Sequence, residues 1–189
     1  METADPAADD AATATLEAFA DTIVPGERRG PDDRAVAGAA PGPGAVAAGA
    51  LELLRTPATG VTGGLDGYVE ALNRHAEAYA REHGRALDDG VPPFVALDHA
   101  DRAALVRALT TPGHPEKDLW VLLALFCNMA FDTAAHMPTA DAMKAGHPGL
   151  TAMGFSPPDE DGLWRFPSFS YRRELAPLHP GTTSTGSPA

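Results

Sequence analysis

A single cysteine, Cys127, stands in a chain of 189 residues. That excludes intrachain disulfides and thiolate metal clusters. Aromatic residues make up only 6%. Basic residues are also scarce: 14 Lys and Arg against 26 Asp and Glu leave a formal charge of −12. So acidic a surface repels phosphate backbones and anionic lipid, which argues against nucleic acid and membrane surfaces as partners. Long hydrophobic runs are missing too. The longest, residues 119–131, is interrupted by Asn128 and falls short of the roughly 20 residues that span a bilayer. No basic segment followed by an apolar one opens the chain, and Arg28-Arg29 lies in a Pro/Asp-rich stretch after a helix, the wrong context for a twin-arginine signal. The expectation is a cytoplasmic protein without membrane insertion. Familiar catalytic signatures are absent as well. There is no GxSxG, HExxH or CxxC, and the run Gly42-Pro43-Gly44 has no following Lys-Ser/Thr and no strand before it. These absences weigh against a common hydrolase, kinase or nicotinamide enzyme.

What is there reads as helix. Apolar residues make up 44% of the chain, enough for one domain with a real core. Helical spacing predicts a helix over 13–24 (Leu16, Phe19, Ala20, Ile23), stopped by Pro25-Gly26. A Gly/Pro-rich polar loop follows over 26–43. Further helices are predicted over 45–55, 65–83 with Gly84 as its stop, 99–110 behind an Asp98 cap, and 115–136. The last is apolar on every face over 119–126, which marks either the central helix of the domain or a subunit interface. No strand pattern competes. The expected fold is all-α, an irregular bundle of about four to six helices over 13–156. An extended arm follows over 157–175, and residues 1–12 and 176–189 are too poor in apolar surface to be more than tails.

Few residues stand out as chemistry. Asp132 and His136 are spaced to share a helix face, as an acid–base pair, half a metal site or an ordinary helix end. His75 or His99 would complete a pocket only if the helices pack suitably. Cys127 sits among apolar residues with no cation nearby, so it reads as a structural thiol. The arm is the richest feature, with Trp164, Arg165, Phe166, Phe169, Tyr171, Arg172 and Arg173 in close succession. Aromatic and arginine side chains dominate binding hot spots, so the arm either grips a partner or wraps over its own bundle. Trp120 and Phe126, on the apolar helix, are the expected contacts beside Trp164, Arg165, Phe166, Phe169, Tyr171 and Arg172.

The opening Thr15-Leu16-Glu17-Ala18-Phe19-Ala20-Asp21-Thr22-Ile23-Val24-Pro25-Gly26 is similar to the start of the small subunit (subunit 3) of gluconate 2-dehydrogenase. Pro43-Gly44-Ala45-Val46-Ala47-Ala48-Gly49 matches that family's Pro-Gly-Ala-x-x-x-Gly helix start. Residues 119–131 match its long apolar helix, and His147-Pro148 with Met153-Gly154-Phe155 echo a late element. The resemblance spans residues 13–156. It implies a helical, non-catalytic subunit with no cofactor of its own, bound to a large FAD-dependent oxidoreductase of the glucose–methanol–choline type. Many of that family carry a twin-arginine signal and act beside a periplasmic cytochrome. This chain has neither that signal nor a Cys-x-x-Cys-His haem site, so a cytoplasmic complex is expected. The alternatives are a stand-alone helical enzyme built on Asp132 and His136, and a scaffold protein without a redox role.

Overall fold

The computed structural model describes residues 6–155 and residues 180–181. The chain divides into two compact units, Met1–Ser156 and Pro157–Ala189. Of the second, only the turn at 180–181 is described, and the whole arm of 157–175 lies outside the described residues.

Eight α-helices and no strands occupy the described part: α1 (Pro6–Ile23), α2 (Ala50–Leu54), α3 (Leu65–His83), α4 (Pro93–Ala96), α5 (His99–Leu109), α6 (Lys117–Thr133), α7 (Thr139–Ala145) and α8 (Pro148–Ala152). The five helices read from the sequence are all present, and α4, α7 and α8 are added. Their starts and stops have local causes. Asp98 caps α5 by accepting from the Asp101 amide at 2.8 Å. Gly84 ends α3 with a left-handed φ of 65°.

Three boundaries differ from expectation. Residues 6–12, read as tail, form the first turns of α1. Their alanines are the best helix formers, and Asp9 in the first turn complements the helix dipole. The helix expected over 45–55 shrinks to α2, because Gly49 takes a left-handed φ of 86° and turns the chain just before it. The helix expected to reach His136 stops at Thr133, where Ala134 adopts φ 51°. A non-glycine residue in that conformation is rare, so nothing in the sequence marks this end.

The hub of the bundle is α1, which packs against α2, α3, α4, α5 and α6. The core gathers Leu16 and Phe19 from α1, Leu54, Leu72, Phe94, Leu109, and Trp120 and Leu123 from α6. Burying each such side chain stabilises the fold by about 1.5–3 kcal/mol. Phe19 and Trp120 meet at 6.1 Å between ring centroids.

The 26–43 loop, expected as a polar connection, is clamped by two buried ionic side chains. Asp21, at the end of α1, accepts from the amides of Gly26 at 3.1 Å and Ala37 at 2.9 Å. Arg102 of α5 is 2% exposed. It donates to the carbonyls of Ala35 (2.7 Å), Arg34 (2.9 Å), Val95 (2.6 Å), Leu97 (3.0 Å) and Phe94 (3.1 Å). Burial pushes the Arg102 pKa below its ordinary value, and the Asp21 charge acts against that shift. A single guanidinium thus satisfies five carbonyls that would otherwise be stranded.

Candidate functional site

Three segments, 24–27, 42–49 and 147–150, meet at one junction. Ala45 donates its amide to Val24 at 2.9 Å, and Glu27 to Gly42 at 2.8 Å. The strand-like crossing brings Gly26 and Gly44 so close that a Cβ on Gly44 would lie 2.6 Å from the Gly26 nitrogen and the Val24 oxygen. Only glycine fits there. His147 joins from the far side. Its Nε2 bonds the Ala48 carbonyl at 3.0 Å, and its Nδ1 accepts from the Leu150 amide at 3.3 Å, capping α8. Those two bonds make Nε2 the protonated nitrogen. The His136 ring lies 5.5 Å from that of His147 and rests on Gly49, where a Cβ would come within 2.5 Å of it. Burial, then the neighbouring His147, hold the His136 pKa below its ordinary value against the pull of Glu52.

A cleft of about 660 Å³ opens at this junction, between Gly26–Arg29 and Gly42–Ala47 on one wall and Gly146, Pro148, Thr151 and Ala152 on the other. Three of its charged groups, Arg28, Arg29 and Asp21, are already committed, and Glu27 is the fourth. Arg28 donates to the Val36 and Ala37 carbonyls, Arg29 is held by Glu17 and Asp33, and Asp21 serves the two amides named above. The walls are mainly glycine, proline and small apolar side chains.

A second polar cluster sits at the start of α6. Glu116 Oε2 receives His75 Nε2 at 2.7 Å and Trp120 Nε1 at 3.0 Å. The Glu116 amide donates to His114 Nδ1 at 3.2 Å, and the His75 and His114 rings meet edge to face at 5.9 Å. The His75 bond, followed by that from Trp120, lowers the Glu116 pKa. Sequence reading missed Glu116 and His114. Their only signal was the pair of polar residues flanking Pro115.

The residues named as a possible pocket are not brought together. His75 belongs to the Glu116 cluster. His99 opens α5 beside Arg102 and Asp98, in a groove it shares with Arg28 and Arg34, and its Nε2 is shielded without a hydrogen-bond partner. Asp132 accepts from Asn128 one turn earlier at 2.8 Å. His136 has left the helix at Ala134 and faces Gly49 and His147, so the shared face expected of Asp132 and His136 does not form. Among the described residues no three His, Cys, Asp or Glu side chains are placed to hold a metal ion. Cys127 is fully buried, and burial pushes its thiol up to about 12.

The apolar helix α6 corrects a second expectation. Trp120 is 1% exposed and lies in the core, and Phe126 is half-buried against it. Trp120 therefore presents no surface to a partner, whereas Phe126 keeps part of its ring exposed. The exposed apolar residues of α6 are instead Val121 (40%), Leu122 (38%) and Leu125 (50%). With apolar residues all round, the sequence held no sign of which face would turn inward. The other partner contacts expected, Trp164, Arg165, Phe166, Phe169, Tyr171 and Arg172, lie outside the described residues. No described helix is long and apolar enough to cross a membrane.

No curated protein and no solved structure matches the chain. One family model does, over residues 10–189, and the chain therefore belongs to the family of unknown function DUF5987.

Proposed function

We propose that the chain is a non-catalytic small subunit that binds and stabilises an FAD-dependent oxidoreductase of the glucose–methanol–choline type in the cytoplasm, with the FAD held by the large subunit. The observation that carries this reading is the outer face of α6, where Val121, Leu122 and Leu125 stand adjacent and exposed. Contiguous exposed apolar residues mark interaction surfaces. The segments similar to the gluconate 2-dehydrogenase small subunit include those that meet at the junction around Asp21, Gly26, Gly44 and His147. The matching segments serve one structural purpose, locking the loop and α8 onto the bundle. Covering the α6 face with a partner stabilises both chains by mass action.

The test is co-expression with a flavoprotein of that type encoded beside the gene, with a tag on one chain. The proposal expects the two to co-elute, and the flavoprotein to lose flavin or solubility without its companion. A flavoprotein that is soluble, flavin-loaded and active alone, and never co-elutes, refutes it.

A further inference from the structure

We propose that the outer face of α6 seats a single helix of its partner, one with an apolar seam bracketed by basic residues. The partner's identity rests on the large-subunit reading above; the chemistry of the seat is read from α6 alone.

Asp118, Leu122, Leu125, Met129 and Asp132 follow one another at intervals of 4, 3, 4 and 3 residues. This is the spacing of a coiled-coil seam, which meets another helix along its length. The opposite side of α6 is already used, since Trp120, Leu123, Cys127 and Ala130 are buried in the bundle. On the outer side Leu122 and Leu125 form the exposed centre, Val121 widens it, and Met129 is half-buried at its edge.

Both ends of the seam are acidic and lack a firm counter-ion. The Asp118 side chain is fully exposed, and only its neighbour Lys117 approaches, at 3.6 Å. Asp132 is half-buried; its Oδ2 accepts from Asn128 and its Oδ1 is buried without a hydrogen-bond partner, so it meets a partner's cation through Oδ2. No cation pairs with Asp132 among the described residues. At the rise of an α-helix the two carboxylates stand about 21 Å apart. A helix laid on the seam therefore fits when leucine-like residues fill its centre and Lys or Arg faces each end.

The same charges disfavour a second copy of the chain. In an antiparallel two-fold pair, Asp118 of one copy meets Asp132 of the other, twice. In a parallel pair each aspartate meets itself. Like charges at those positions repel, and the net charge of −12 on each copy adds to the repulsion.

The probes are two lactam-bridged helical peptides of about 20 residues, long enough to span the seam. Both carry a leucine seam; one has Lys and the other Glu at the positions facing Asp118 and Asp132. Binding to the full chain is read by fluorescence anisotropy at low salt. The Lys peptide is expected to bind about tenfold more tightly than the Glu peptide, and the double variant Asp118→Lys with Asp132→Lys to reverse that order. Circular dichroism confirms that the variant stays folded, and the fully exposed Asp118→Lys alone serves if it does not. Equal binding of both peptides, or binding of neither, overturns the proposal. So does a dimer in analytical ultracentrifugation that Leu125→Glu dissolves, since a second copy then owns the face. The peptides contain no flavoprotein sequence, which separates the two readings. Charge-reversible peptide binding without flavoprotein co-elution refutes the large-subunit reading alone. Co-elution that survives Leu122→Glu with Leu125→Glu refutes the seam alone.

Discussion

Replacing Arg102 by leucine removes the donor that five carbonyls share. The side chain is 2% exposed, lies over the Phe94 ring at 5.9 Å, and ties the 34–35 carbonyls of the loop to α5 and to the 94–97 segment. Per-bond energies do not add here, because one guanidinium is desolvated once for all five bonds. Removing one member of a buried charged network costs about 3–5 kcal/mol, and leucine restores some apolar packing, so about 4 kcal/mol is the working figure. That is a large part of the 5–15 kcal/mol that typical domains have in total. For a chain of this size it corresponds to a fall in Tm of about 8–16 °C. Thermal unfolding followed by circular dichroism reads the shift. Limited trypsinolysis reads its location: Arg28, Arg29 and Arg34 all lie in the clamped loop, and cleavage there should accelerate in Arg102→Leu before the helices yield. Arg102→Lys should recover part of the loss, since an ammonium offers three donors without the planar fork. A fall in Tm of less than about 3 °C with unchanged cleavage would show that the loop is held by something else.

Gly44→Ala drives a Cβ against the Val24 oxygen and the Gly26 nitrogen. Neither is a flexible side-chain end, so a loss of about 1–3 kcal/mol is expected in urea denaturation. Cys127 should resist a thiol reagent in the native state and react only on unfolding, because its thiol is fully buried and pushed up to about 12. His136 has a folded pKa below its unfolded value, so the unfolded chain takes up the proton first as pH falls. The stability tied to His136 is whole above about pH 6.5 and is lost as pH drops through the folded pKa. The urea midpoint of His136→Gln should therefore fall less than that of the natural chain between about pH 7.5 and about pH 5; equal falls would contradict the assignment.

How far the sequence could be read depends on whether a feature is local. α3 was legible from end to end, since its apolar stripe and Gly84 lie within one stretch. The Asp98 cap was legible for the same reason. Arg102 was not. In a helix it looks like part of a solvated face, and its burial depends on carbonyls 67 and 68 residues away along the chain. His147 was equally hidden, because its role needs the Ala48 carbonyl, 99 residues away. The Asp132/His136 pair failed because helical spacing was carried past an end that only the backbone of Ala134 reveals. Trp120 was misplaced for a different reason. A helix with apolar residues on all sides states that one face is buried, and leaves its identity to the packing of α1 and α2.

The proposed function requires that the outer face of α6 hold a flavoprotein subunit. Burying the exposed halves of Leu122 and Leu125 is worth about 1 kcal/mol each, and a buried unpaired carboxylate there costs more. Size-exclusion chromatography with light scattering and flavin absorbance, applied to the co-expressed pair, measures the complex directly. One flavin-bearing peak at the summed mass is expected for the natural chain, and separate peaks for folded Leu122→Glu/Leu125→Glu. A flavin-loaded large subunit that elutes apart from the natural chain would contradict the proposed function.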